Sequence, residues 1–275
     1  MSLKLFSPAK LNLFFRVLRK REDGFHEIAS IYQAISIFDE LTFNIAEEDE
    51  FTCSLSSLEN DNNLVIKSLD LFRKETNFDV KVNIFLKKNI PMQAGLGGGS
   101  SNAATTLFAL NKLTGNKLDN NSLIKLAAQL GSDVPFFFST GAAYCTGRGE
   151  VFEDINIQNL DFYVVKPDFG ISTPLVYKNM NLNLLEKKDP QDTLNSFLLG
   201  EFDFYNDLEK SSFVLDDRLF KIKKDLISSG FEKACMTGSG TSFFIPNPNN
   251  KPFNIYGVSC FFGRSISRCY DSWWK

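Results

Sequence analysis

The stretch Pro91–Ala104, Pro-Met-Gln-Ala-Gly-Leu-Gly-Gly-Gly-Ser-Ser-Asn-Ala-Ala, constrains this chain more than any other. Gly95, Gly97, Gly98 and Gly99 put four glycines within five residues. Such a run gives up side-chain packing and pays in entropy for backbone freedom and for close approach of another group. Ser100, Ser101 and Asn102 follow, and Ala103–Leu110 has the apolar spacing of a helix. A helix is therefore expected to begin near Ser101. Its free N–H groups and the positive end of its dipole would face the glycine loop, a setting that favours phosphate.

Two common phosphate motifs are excluded. A Walker A loop ends Gly-Lys-Ser/Thr, but Ser100 stands five positions after Gly95 and no lysine follows. The dinucleotide pattern Gly-x-Gly-x-x-Gly also fails at Ser100. A plain glycine-rich connection between strand and helix would explain the glycines, but not the serines or the helix after them.

At 275 residues the chain has room for one large domain or two ordinary ones. Its 30 basic and 33 acidic side chains form no basic block, which argues against nucleic acid as the main partner. Cys53, Cys145, Cys235, Cys260 and Cys269 are scattered, and with a single histidine a zinc site is not expected. This cysteine usage fits a reducing, cytoplasmic compartment. No stretch reads as a membrane span. Nothing selects an oligomeric state.

Leu3–Leu18 alternates and reads as one or two strands, broken near Pro8. Lys10 and Asn12, two apart, fall on one face, either a solvated surface or a paired polar site. Asp23-Gly24 marks a turn that presents Phe25 and His26. A lone histidine is more often structural, yet ring plus imidazole could also cradle a flat heterocycle. Strands are expected around 31–37, 41–45 and 80–86, an outward loop over 47–61, and a helix capped at Asn62 or Asn63. A further helix should end at Gly131, followed by Ser-Asp-Val-Pro and three phenylalanines. Asp133 there is a helix cap or a buried, positioned acid. Strands at 141–146 and 151–152 flank Gly147-Arg-Gly. The pattern resets around 154–161, which suggests domains over residues 1–155 and 156–275. The second should hold helices near Tyr177 and over 194–199, 207–213 and 217–228, with strands around 162–167, either side of Met236-Thr-Gly-Ser-Gly, and 256–262. Strands and helices without a repeating β-α-β rhythm indicate an α+β fold.

Three blocks resemble the GHMP kinase superfamily: Ser7-Pro-Ala-Lys-Leu-Asn-Leu, Pro91–Ala104 and Met236-Thr-Gly-Ser-Gly. Lys20–Glu27 and Gly131–Phe137 narrow the resemblance to members whose acceptor carries a cytidine diphosphate. It implies a two-domain fold: an N-terminal mixed sheet with helices, a smaller C-terminal α+β domain, and an active site in the cleft between them. It also implies that ATP phosphorylates the 2-hydroxyl of a methylerythritol unit linked to CDP, in the non-mevalonate route to isoprenoid precursors. Asp133 would be the catalytic base and Lys10 its cationic partner. ATP would be held by Asn63, Lys88 and the run Pro91, Met92, Gln93, Ala94, Gly95, Leu96, Gly97, Gly98, Gly99, Ser100 and Ser101. Asn12, Phe25, His26, Thr173 and Tyr177 would hold the substrate, with His26 reading the cytosine edge and two rings stacking on it. Phe25 stands where the family usually has tyrosine, and Gln93-Ala94 where it usually has glycines. Mg²⁺ would accompany ATP, with Ser101 as its candidate protein contact. Homoserine and mevalonate kinases share the superfamily, but their substrates lack a base to stack. A regulator without catalysis would be expected to have lost Lys10 or Asp133, and both are present. A serine hydrolase would have to use His26, with no Gly-x-Ser-x-Gly elbow to support it.

Overall fold

A computed structural model describes residues 2–249, 253–270 and 272–274. In chain order its elements are β1 (Ser2–Lys20), β2 (His26–Ala46), β3 (Glu50–Cys53), α1 (Leu64–Thr76), β4 (Lys81–Lys87), α2 (Gly98–Leu113), α3 (Asn120–Leu130), β5 (Ala142–Thr146), β6 (Val151–Ile155) and β7 (Asp161–Pro167). These are followed by α4 (Thr173–Lys178), α5 (Pro190–Leu198), β8 (Tyr205–Asn206), α6 (Glu209–Leu215), α7 (Asp217–Ser228), β9 (Cys235–Met236), β10 (Phe243–Pro246) and β11 (Val258–Arg264). The fold is α+β with two sheets. One runs β3-β4-β2-β1-β8, with β5 on β2 and β6 on β5; the other runs β11-β7-β10-β9.

The hairpin β1–β2 is the spine. Its antiparallel register runs from Ser2–Asn44 to Lys20–His26. β1 is not broken at Pro8. It continues for 19 residues and absorbs the proline at a register shift between Pro8 and Ala9. Such a bulge re-aims side chains without ending the strand, and it spares a proline the ladder bond it cannot donate. The runs expected at 31–37 and 41–45 likewise form one strand, β2, which pairs with β1, with β5 through Ser30–Gln33 and with β4 through Glu40–Ala46.

Both faces of the spine are covered. On one side Leu41, Phe43, Val82 and Ile84 pack with Val65, Leu69, Ala103, Leu107 and Leu126 of the helices. Trp273 and Trp274, at the far end of the chain, join this core. On the other side Ala9, Leu11, Leu13 and Phe14 meet Phe162, Phe197 and Phe244. The seven-stranded sheet also takes β8 from the C-terminal half, in parallel with β1 at Phe14–Tyr205 and Phe15–Asn206. The segment expected to loop outward over 47–61 holds β3 instead, parallel to β4.

Local chemistry sets several boundaries. The Asn63 and Asp119 side chains accept from the N–H groups of Val65 and Ser122 and start α1 and α3. α2 begins at Gly98, earlier than the expected Ser101, and its N-cap is Gly97 in the left-handed conformation with no side-chain cap. Two of the loop's four glycines therefore lie inside the first turn of the helix.

Candidate active site

A cavity of about 1280 Å³ opens where the β1–β2 hairpin, the glycine loop, α4 and the turn Gly238–Gly240 converge. Its floor is built from β1 outward. Lys10 is only 3% exposed, and its ammonium donates to Asn12 Oδ1 at 2.6 Å. It lies 3.4 Å from Asp133 Oδ2 and 4.6 Å from the centre of the Tyr32 ring. Asn12 itself donates to Ser30 Oγ at 3.1 Å and receives the Thr237 hydroxyl at 3.3 Å, so it stands behind Lys10 rather than in the cavity wall.

Asp133 is held in place by the residues on either side of it. Val134 N donates to Gly131 O, and Pro135–Phe138 forms a short 3₁₀ turn whose residues are all buried. The phenylalanines anchor the turn and leave the Asp133 carboxylate, 31% exposed, at the cavity rim. Tyr32 donates to Asp133 Oδ1 at 3.1 Å. Asp133 caps no helix.

The glycine loop sits directly above. Gln93, Gly95 and Gly97 all have positive φ, at 52°, 75° and 67°. Lys10 N donates to Leu96 O at 2.9 Å, which ties the loop to β1. A Cβ on Gly97 would stand 2.9 Å from Lys10 Cγ, and one on Gly95 would overlap the Thr237 carbonyl oxygen. Glycine is needed at both places for space as well as for conformation. With no capping side chain, the first N–H groups of α2 have no side-chain acceptor from the cap position.

Not every residue expected to touch a ligand lines this cavity. Lys10, Phe25, His26, Gln93, Gly95, Gly97, Asp133, Thr173 and Tyr177 do. Ala94 and Leu96 are buried beneath the loop, while Pro91, Met92, Gly98, Gly99 and Ser100 lie outside the lining. Ser101 is buried within α2, and its hydroxyl has no partner. Both polar ends of Asn63 are engaged, one on Val65 N and the other on Leu58 O. Lys88 is buried and paired with Asp39 at 2.8 Å. Burial lowers the pKa of its ammonium, opposed by the Asp39 charge.

At the far end, the His26 and Tyr177 rings stack with centroids 5.0 Å apart. Burial and the Lys20 charge push the His26 imidazole below its ordinary value, and burial raises the Tyr177 phenol. Phe25 is exposed, with the Arg148 guanidinium 5.0 Å above its ring. The Thr173 hydroxyl bonds that of Ser239 at 2.7 Å and links α4 to the second glycine turn.

Three features are not evident from the sequence alone. Asp39, fully buried, accepts from the N–H groups of Asn89 and Ile90, from Asn102 Nδ2 and from Lys88, and so fixes the entry to the loop. Arg148 lines the cavity, and Tyr32 reaches Asp133. Asp39 shares β2 with Glu27 and Glu40, so its residue type does not single it out.

A family model described as GHMP kinases N terminal domain matches residues 63–141, the region from α1 to the start of β5. With the two-sheet fold and the glycine-lined cleft, this makes the chain a small-molecule kinase of the GHMP class. It is 44% identical to the 4-diphosphocytidyl-2-C-methyl-D-erythritol kinase of Protochlamydia amoebophila (strain UWE25), over 98% of this chain and 94% of that one. It is 39% identical to the chloroplastic enzyme of that name from Arabidopsis thaliana, over 92% of this chain and 70% of the other. The crystal structure of a 4-(cytidine 5'-diphospho)-2C-methyl-D-erythritol kinase superposes with a TM-score of 0.81 at 28% identity, covering 97% of this chain and all of that one. The chain belongs to the 4-diphosphocytidyl-2-C-methyl-D-erythritol kinase family. Among the described residues no helix is long and apolar enough to cross a membrane.

Proposed function

We propose that the chain transfers the γ-phosphoryl group of ATP to the 2-hydroxyl of 4-diphosphocytidyl-2-C-methyl-D-erythritol, with Asp133 as general base and Lys10 as its cationic partner. The observation that carries this reading is the Lys10–Asp133 pair, 3.4 Å apart, with Lys10 packed against Gly97 of the glycine loop. Phosphoryl transfer asks a protein mostly for alignment and charge neutralisation. The loop amides and the uncapped start of α2 supply fixed donors to the triphosphate. Asn63 and Lys88 frame the adenine end through the elements they hold.

Lys10 offsets charge as the phosphoryl group moves. Asp133 accepts the proton of the attacking hydroxyl. Asn12 fixes the ammonium, and Thr173 with Ser239 flanks the path between the two glycine turns. His26, Tyr177 and Phe25 receive the cytosine. Phe25 keeps a stacking face but has no phenolic hydroxyl to offer.

Among the described residues no cluster of three or more His, Cys, Asp or Glu side chains is arranged for a metal. This suits Mg²⁺ carried chiefly on phosphate oxygens, and the unpartnered Ser101 hydroxyl at the start of α2 fits as a protein contact. When bound, the ion neutralises phosphate charge.

Asp133→Asn tests the assignment. Binding of ATP and of the cytidine substrate should survive, while kcat falls about 10²- to 10⁴-fold. Turnover near the normal rate would remove Asp133 from this role. Homoserine and mevalonate, which have no base to engage His26 and Tyr177, should be poor acceptors in the same assay.

A further inference from the structure

We propose that Tyr32 is a positioning residue for Asp133, orienting its carboxylate within the cavity. The inference rests on the general-base reading of Asp133 and deepens it. Tyr32 lies on β2 opposite Asn12 of β1, in the ladder that carries Lys10. Its ring is buried edge-on against Phe136, from the turn that holds Asp133, at 5.3 Å between centroids. The Lys10 ammonium sits over the ring face at 4.6 Å, and the hydroxyl donates to Asp133 Oδ1 at 3.1 Å. One side chain thus touches both members of the pair by different means, a cation–π contact and a hydrogen bond.

The two carboxylate oxygens are thereby distinguished. Oδ1 takes the phenol, and Oδ2 is nearer the ammonium, at 3.4 Å. A fixed donor on Oδ1 sets the rotation of the carboxylate, so the same lone pairs always face the cavity. The place for the hydroxyl is kept open by the chain: Gly149, at φ 113°, would put a Cβ 2.7 Å from the Tyr32 oxygen.

Neighbouring elements leave this arrangement undisturbed. Besides Lys10 of β1, the titratable groups felt here are Cys145 on β5 and Tyr177 on α4. Burial, with the Asp133 charge, raises both and keeps them neutral. The same two causes raise the Tyr32 phenol, so it remains a donor throughout the working range.

Tyr32→Phe removes the hydroxyl and keeps the ring for Lys10 and Phe136. Without the donor the Asp133 carboxylate is free to rotate away from the attacking hydroxyl. We expect a fall in kcat of about 10-fold at neutral pH. KM for ATP and for the cytidine substrate should stay within about 2-fold, because the ring that lines the cavity is kept and only its bond to Asp133 is lost. A Tyr32→Phe enzyme with unaltered kcat, or one whose KM rises as much as its kcat falls, would overturn the inference. Asp133→Asn is assayed alongside. If it collapses while Tyr32→Phe is silent, only the Tyr32 role fails; if Asp133→Asn still turns over, the base assignment fails first.

Discussion

Gly97 shows how much one residue can carry here. Its φ of 67° belongs to the left-handed region, and an added Cβ would lie 2.9 Å from Lys10 Cγ and 3.1 Å from Phe137 Cζ. Gly97→Ala should therefore cost about 1–2 kcal/mol in unfolding free energy from the backbone alone. It should also displace Lys10, lowering kcat and raising KM for ATP. Alanine at Gly115, also at positive φ but with open space around it, isolates the conformational part. If both variants lose stability equally and neither loses activity, the contact between loop and ammonium is of no consequence. His26 gives a second prediction at this scale. Its pKa is depressed by burial and by Lys20, so the imidazole is neutral in the folded protein at neutral pH. A depressed pKa contributes stability above the unfolded value of about 6.5, and that contribution is lost as pH falls through the folded value. KM for the cytidine substrate should be flat near pH 7 and climb on acidification as the ring takes up a proton. A profile with the same climb in His26→Phe would assign it to another group.

Whole elements are positioned by partners that local sequence does not reveal. Asp39 joins β2, the entry to the glycine loop and α2 through one carboxylate. Asp39→Ala leaves the Lys88 ammonium buried without its counter-charge, which should cost about 3–5 kcal/mol in chemical denaturation. Adding Lys88→Met should recover part of that loss, and no recovery would mean that the backbone bonds to Asp39, not the charge pair, dominate. Elements governed by nearby residues were legible in the sequence: the cap at Asn63, the turn at Asp23-Gly24, and the alternation of β4. Those governed by distant ones were not. β3 is four residues long and exists through parallel pairing with β4, and β8 is two residues beside β1. Neither leaves a period to read. The first turn of α2 was missed for a related reason, since glycine opposes a helix locally and only the tertiary setting overrides it. At the site, the glycine loop was marked by residue type and spacing, whereas Lys10 and Asp133 were singled out only by the resemblance to the superfamily. Tyr32 looks like any aromatic on a buried strand, and its hydroxyl gains meaning only when folding brings Asp133 within reach.

Across the whole molecule, the cleft depends on two glycine turns that meet from opposite halves of the chain. Gly95 and Gly240 fit so closely that a Cβ on either would overlap the backbone of the other turn. The second turn is set from behind: Asn206 Nδ2 donates to Met236 O at 2.9 Å and to Gly238 O at 2.8 Å, and Glu209 accepts from Met236 N at 2.9 Å. Asn206 belongs to β8, which pairs with β1, the strand of Lys10, so both walls are referred to one spine. Gly240→Ala separates this contact from backbone strain, because Gly240, unlike Gly95, does not have positive φ. Its added methyl can be accommodated only if the turns part. The wedge acts on alignment between ATP and acceptor, where small displacements are costly, and a misplacement of about 1 Å is worth roughly 10²-fold in rate. The variant should therefore lose kcat by about one to two orders of magnitude while its melting temperature falls only modestly. Ser239→Ala, on the same turn, removes one exposed hydroxyl contact to Thr173 and should have a far smaller effect. Equal losses in the two would place the sensitivity in the hydroxyl contact. A Gly240→Ala enzyme as fast as the parent would mean that the two turns need not touch for phosphoryl transfer.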